Sequence, residues 1–290
     1  MNISVVICTL NNWQMLDKLL GCISMQNLLP IEIIIVHGDN NPETKSISTK
    51  WNKNGLNIVY QSAPRSLVIQ RNIGIDIASG EIICFLDDDV VLEQDYFRSI
   101  LEVYKSDSEV DGVQGTITNN KKPSFIKNAY YELFLLVNTY GNGKLKKSGL
   151  PSFHSPTSKP VEVMVFNGCM MSFRANILRN NKFDLFYEKN WWGDDFETSF
   201  KIAKTHKLLQ IPNARLFHYG NASFGRSAKL AYMQGRNLKY IRKKHGFDKG
   251  LNKLLCMWSD TGQLLLYFIL FFKGEGADYV MNWIKGLRTK

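Results

Sequence analysis

In "IICFLDDDVVLEQDYF" (82–97) an apolar run enters three consecutive carboxylates, Asp87, Asp88 and Asp89, and then resumes. Adjacent carboxylates repel and raise one another's pKa unless a cation or hydrogen-bond donors compensate them. A divalent ion is the simplest compensation, because Mg²⁺ or Mn²⁺ takes oxygen from one or two carboxylates and leaves its other positions to water and phosphate. A solvated turn capping the next helix would use the same residues. Upstream, "APRSLVIQRNIGIDIASGE" (63–81) puts Arg65, Arg71 and Asn72 on or near the helix that feeds the acidic strand. Guanidinium forks there can reach phosphates or neutralise the acidic rim.

Chemistry of this kind needs elements that hold the acids at one edge. Short β-branched runs at 3–9, 31–36, 56–60, 81–86 and 111–117 read as strands, and stretches at 12–26, 43–53, 66–78 and 93–105 carry helical periodicity. That alternation predicts a mostly parallel sheet covered on both faces, an α/β fold. Such sheets bind ligands beyond the carboxyl ends of their strands. Asp87–Asp89, "TLNN" (9–12) and "HGDNN" (37–41) all fall at those ends. Residues 118–160 read as a connector with a loop around an aromatic helix near 124–140. Strands are expected at 161–166 and 169–174, a helix at 193–206 and a strand pair near 208–218. The domain reading is therefore an α/β half (1–117), a second half with the connector and later strands (118–225) and a basic, apolar helical tail (226–290).

With 290 residues, 44% of them hydrophobic, the chain can build a substantial core, which argues against disorder. A net charge of +10 attracts anions without distinguishing nucleic acid, headgroups and small phosphorylated molecules. Five cysteines, odd in number and widely spaced, read as reduced core residues of a cytoplasmic protein. A secretory signal pattern is not visible at the N-terminus. "LLLYFILFF" (264–272) is shorter than the ~20 residues of a bilayer crossing, and Ser259, Asp260, Gly262 and Gln263 interrupt its backward extension. The basic stretch 227–255 followed by this apolar segment and Trp283 is the pattern of a peripheral, surface-lying anchor at the inner face of the membrane, or of a tail packed on the domain.

The runs "SVVICTLNN", "EIIIVHGDN", "QRNIGIDIASGEIICFLDDDV" and "GDDFE" together resemble the inverting family 2 glycosyltransferases, which have the GT-A fold; the resemblance covers about residues 3–240. It implies that Thr9 and Asn11 line the nucleotide and that Asp89, the last acid of the D-x-D motif, holds the divalent metal (Mn²⁺ or Mg²⁺). Asp87 and Asp88 would lie near the ribose and the metal, with Arg71 and Arg65 beside the phosphates. The family's acid after the second strand is replaced here by His37 and Gly38, with Asp39 two residues later as the substitute donor contact. Inversion needs a base for the acceptor hydroxyl. "WWGDDFE" (191–197) resembles the family segment that supplies it, with Asp195 as base and Asp194 as the fallback; both would also serve as helix N-terminal acids. Trp191 and Trp192 suit either a sugar face or the core. Asn167 and Gly168, in "FNGCMMSFR", are implied donor-sugar contacts, and Arg174 a structural residue. His218 stands where related enzymes supply a further metal ligand, and Arg226 and Lys229 could close over the diphosphate.

The expected partners are a nucleotide-sugar donor, UDP-linked, and a saccharide or lipid-linked acceptor. A nucleotidyltransferase would share the crevice and metal, yet would need neither "GDDFE" nor an aromatic wall. A basic nucleic-acid-binding protein is suggested by the charge and the "RKKH" helix, but its motifs are absent from the sequence and acids stand where phosphates would enter. "GEGADY" (274–279) fails the dinucleotide fingerprint because it lacks the third glycine and an opening strand.

Overall fold

A computed structural model describes all residues except 40, 190–191, 221–226, 247–249, 273–276 and 290. The β-branched runs form β1 (Ile3–Thr9), β2 (Glu32–His37), β3 (Ile58–Ser62) and β4 (Ile82–Asp87), paired in parallel in the order β3-β2-β1-β4. Their crossovers carry α1 (Trp13–Ser24), α2 (Pro42–Lys53) and α3 (Leu67–Ile77). Asn41 and Ser66 start α2 and α3 by accepting the Thr44 and Ile69 N–H groups, and Pro42 sits in the first turn of α2, where its missing donor costs nothing.

Side-chain alternation splits the core in two. Ile3, Val5 and Ile7 of β1 face α1, α2 and α4 (Tyr96–Ser106), whereas Val6 faces α3 and the helices that follow. Beyond β4 the sheet continues through β5 (Val90–Leu92), β6 (Val110–Ile117), β10 (Val161–Glu162), β11 (Met171–Arg174) and β12 (Lys207–His218). β11 runs antiparallel between β4 and β6, so β6 and its parallel neighbour β12 point the same way as β4. The carboxyl ends of β1, β4 and β12 therefore share one edge. β5 pairs with β12 at Val90 and His218, and this brings His218 beside the acidic turn.

Between these strands lie α5 (Phe125–Leu133), a small sheet of β7 (Asn138–Gly141), β8 (Lys144–Leu145) and β9 (Pro151–His154), α6 (Ala175–Asn180) and α7 (Asp194–Ala203). Three expectations change. The helix near 124–140 ends at Leu133 and gives way to β7; only Val161–Glu162 of 161–166 pairs as strand; and the pair near 208–218 is one strand with an irregular register between Gln210 and Arg215. All five cysteines are free, three of them buried.

The tail is α8 (Ala228–His245), α9 (Lys253–Phe272) and α10 (Ala277–Arg288). Gly235 of α8 and Gly286 of α10 let these helices touch backbone to backbone, since a Cβ on Gly235 would stand 2.5 Å from the Trp283 carbonyl oxygen. The residues that interrupt the apolar run all turn inward. Ser259 and Gly262 are buried, Gly262 against Phe134, and Asp260 accepts from Arg242 at 2.8 Å. The outer face is left with Leu254, Met257, Trp258, Leu265, Phe268, Ile269 and Phe272. The run thus extends backward into one helix of 20 residues, mean hydropathy 1.5, which by length and composition alone is sufficient to cross a membrane.

Candidate active site

The acidic turn after β4 holds its three carboxylates in three different ways. Asp88 accepts from Thr9 Oγ1 and, at 2.6 Å, from Asn12 Nδ2, which ties the turn to the end of β1. Burial pushes its carboxyl up to about 7 against those two donors. Asp89 is buried with one oxygen 3.2 Å from His218 Nε2, and its carbonyl accepts from the Tyr219 N–H. Asp87 stands 3.9 Å from the same imidazole nitrogen and 3.9 Å from Arg71 Nη2. Burial raises the Asp87 carboxyl, with Arg71 and His218 opposing it; His218 is itself raised, first by its hydrogen bond to Asp89. Asn119 fixes the backbone of His218 through both its amide N–H and its carbonyl.

Asp87 and Asp89 thus both face the His218 imidazole, at 3.9 and 3.2 Å, and carboxylate oxygens with an imidazole are a donor chemistry that fits a divalent ion. The Cys169 sulfur lies within 4.8 Å of ligand atoms of Asp87 and His218, but it is a soft donor beside hard carboxylate oxygens, which Mg²⁺ and Mn²⁺ prefer; burial raises its thiol well above the ordinary range.

Arg71 occupies a different place from the one its sequence position implies. It is 4% exposed, donates to Asp194 at 2.5 Å and to the Gly168 carbonyl at 3.4 Å, and lies over the Phe183 ring. It joins α3 to the start of α7 instead of presenting a free fork to solvent. A Cβ on Gly168 would come within 2.7 Å of Arg71 Nη2, so the guanidinium packs directly against the backbone of residue 168. Asn72 likewise is engaged with the backbone of Phe183 in both directions.

Asp195 is the half-buried acid of the pair. Its Oδ2 accepts from the Gly168 N–H at 2.9 Å and its Oδ1 from the Phe196 N–H at 2.8 Å. Burial raises both carboxyls of the pair, Asp194 to about 7, while Arg71 opposes the rise at each. Further along α7, Glu197 is buried yet held below the usual carboxylate range, because His245 and Lys244 of α8 compensate its burial.

Asp87, Arg71, Asn167, Gly168, Trp192 and Asp195 line a cleft of about 280 Å³. A second space of about 270 Å³, with His218, Asn119 and His154 on its walls, adjoins it at Asn167 and Phe153. The edge of the Trp192 ring system meets Phe196, and its carbonyl accepts from Asn237 of α8. Asn167 is oriented by its N–H to Gln114. Arg174 donates to the Val110 carbonyl and is structural.

At the end of β2, His37 is fully buried, its Nδ1 accepts from the Asp39 N–H, and burial lowers its pKa. Asp39 and Arg65 pair with each other at 3.4 Å, both exposed. Asn11 is exposed with a left-handed backbone, φ 56°. Lys229 is exposed in the first turn of α8. Trp191, Arg226 and the glycines of "GEGADY" lie outside the described residues. Sequence reasoning missed Asn12, Asn119, Val137 and Phe153. The first sits in the quoted "TLNN" stretch, whereas the others carry no local signal.

An α/β fold of the GT-A class, with an acidic turn facing a second pair of acids at the carboxyl edge of its sheet, is what these elements define. Residues 4–181 match the profile of Glycosyl transferase family 2, and the chain belongs to that family; it is a glycosyltransferase. It is 27% identical over 241 residues to the GalNAc(5)-diNAcBac-PP-undecaprenol beta-1,3-glucosyltransferase of Campylobacter jejuni, a match covering 79% of this chain and 69% of that protein. A shorter match to another curated transferase, at 22% identity, covers 46% of this chain and 44% of its counterpart. In fold it is similar to residues 1–349 of Staphylococcus aureus TarS in complex with UDP-GlcNAc (TM-score 0.66, 14% identity, 99% of this chain and 80% of that one). It is also similar to the mannosyltransferase PcManGT of Pyrobaculum calidifontis in complex with GDP-Man and Mn²⁺ (TM-score 0.59, 16% identity, 98% and 84%).

Proposed function

We propose that this glycosyltransferase moves one sugar, with inversion, from a UDP-linked donor to a saccharide or lipid-linked glycan acceptor at the inner face of a membrane. The observation that carries the reading is the cleft itself. Asp87 of the acidic turn and the half-buried Asp195 open onto one space, with Trp192 and Asn167 between them on its wall. Asp89, Asp87 and His218 would hold the divalent ion, and the complex of PcManGT with Mn²⁺ makes this cofactor chemically apt for the fold. When bound there, the ion supplies Lewis-acid neutralisation of the departing diphosphate.

The chain's own residues supply the rest. Asp195 takes the proton from the acceptor hydroxyl as that oxygen bonds to the anomeric carbon; the bond to the diphosphate breaks and its electron pair leaves with the phosphate oxygen. The Gly168 and Phe196 N–H groups aim the carboxylate, so little reorientation remains at the moment of reaction. Asp194, spent on Arg71, cannot turn toward an acceptor without breaking a buried ion pair. Thr9 and Asn12 hold Asp88, which keeps the turn in place beneath the donor, while Asp39 and Arg65 offer polar contacts at the nucleotide rim.

Support for a lipid-linked acceptor comes from the Campylobacter relative, named for an undecaprenol-linked substrate, and from the outward apolar face of α9. A helix with Ser259 and Asp260 turned inward, an outward face of large apolar side chains and lysines on neighbouring α8 suits peripheral attachment to anionic lipid. The test is a panel of nucleotide-sugars incubated with Mn²⁺ and then Mg²⁺. Release of free UDP from a UDP-sugar is the expected result. Formation of UTP and sugar 1-phosphate from a UDP-sugar and added pyrophosphate would instead make the protein a nucleotidyltransferase, and retention of DNA in EDTA would return it to the nucleic-acid binders.

A further inference from the structure

A groove of about 200 Å³ runs between the C-terminal helices, with Leu230 of α8, Leu266 and Leu270 of α9 and Tyr279 of α10 on its walls. Val137, just before β7, lines both this groove and the catalytic cleft. At its other side, Leu266 and Leu270 alternate along α9 with the exposed Leu265, Phe268 and Ile269. A polar group within the groove is already engaged, since the Tyr267 hydroxyl donates to Gln234 at 3.1 Å. Val137 thus stands between groove and cleft, and the leucines of the groove lie on α9 beside its outward apolar face, with Ser227, Gln234 and Gln263 as the polar part of the lining. Leucine side chains and tyrosine rings on facing walls offer a hydrocarbon chain apolar contact that removes it from water.

We propose that this groove holds the leading part of the hydrocarbon chain of a lipid-linked acceptor and delivers its head to the cleft, an inference that rests on the lipid-linked reading above. The chain's saccharide would then enter the cleft past Val137, toward Asp195. Continuity with both the cleft and the apolar face of α9 favours the acceptor's own chain over a bilayer lipid, which has no reason to reach the catalytic wall.

The experiment compares binding of farnesyl phosphate and of single-isoprene dimethylallyl phosphate to the purified full chain, alongside hydrolysis of the UDP-sugar donor by water. Wild type is expected to bind the longer probe about tenfold or more tightly, as its added methylenes become buried. Leu266→Trp fills the groove from α9 and is expected to abolish this preference while donor hydrolysis stays within about twofold. Leu230→Trp, on the opposite wall, repeats the test should the first variant misfold.

Equal binding of the two probes by wild type would overturn the proposal, as would a preference that survives in a folded tryptophan variant. Displacement of farnesyl phosphate by short-chain phosphatidylglycerol as readily as by itself would assign the groove to bilayer lipid and overturn it too. Donor hydrolysis without any chain-length preference sinks the groove alone. A chain-length preference in a protein that turns over no nucleotide-sugar keeps the groove and sinks the donor reading.

Discussion

The two acidic clusters of this molecule have nearly the same composition and opposite electrostatic circumstances. At the start of α7, Asp194 meets a buried guanidinium at 2.5 Å, so a cation fixed in the fold compensates one of its two adjacent acids. At the end of β4, three carboxylates receive two neutral donors and one imidazole, and the guanidinium stands no closer than 3.9 Å. The first cluster is therefore complete and the second is short of positive charge. Only the second can take an exchangeable cation without expelling a resident one, and only the first offers a carboxylate, Asp195, aimed by backbone N–H groups at a fixed point.

The sharpest way to break this comparison is Asp195→Asn. Transfer is expected to fall by about 10³-fold, with calorimetric donor affinity in Mn²⁺ unchanged; retained transfer would put the base elsewhere. Next is Asp89→Ala, expected to weaken metal-supported donor binding by about 100-fold while leaving the fold intact, measured by the same calorimetry. Equal affinity in the variant would show that the β4 cluster needs no ion. Arg71→Met should leave Asp194 buried without its partner and lower unfolding free energy by about 3–5 kcal/mol in a denaturant titration. A change near zero would mean that α7 does not depend on its fixed cation. His218→Ala, which removes one donor of three, is expected to cost about tenfold in Mn²⁺ affinity and little else.

The pH dependence sharpens the same contrast. A base must be deprotonated, and burial raises Asp195 above the usual carboxylate range, so transfer should fall with decreasing pH earlier than an exposed aspartate would allow. Asp194→Asn removes the acid that competes for Arg71 and should move that limb to lower pH, read from the pH profile of the rate.

Much of this was legible in the chain because period-two runs ending in acids leave few arrangements open. β1 through β4 and their helices fall within a few residues of where alternation puts them, the acidic turn and His218 meet at the carboxyl ends of β4 and β12, and Asp195 stands in the first turn of α7, where the sequence predicts a helix start. What escaped was pairing across long separations. Arg71 reads from its position as a phosphate contact or a neutraliser of the acidic rim, and neither reading names Asp194, the partner 123 residues away that it meets against the backbone of Gly168. The walls formed by Val137 and Phe153 were hidden for a related reason: the segment 134–154 has weak periodicity, and tertiary contacts fold it into β7, β8 and β9. The run at 264–272 looked too short because Ser259, Asp260 and Gly262 break a linear hydropathy reading, although on a helix all three fall on the protein side.

That last arrangement governs how the protein behaves in a test tube. Apart from Lys253 and Thr261, the side chains that this helix gives to water are greasy, so in a detergent-free extract those patches will seek one another. Monodispersity and recoverable yield should consequently follow the amphiphile supplied during extraction far more than ionic strength, as contacts made by hydrocarbon are insensitive to dilute salt.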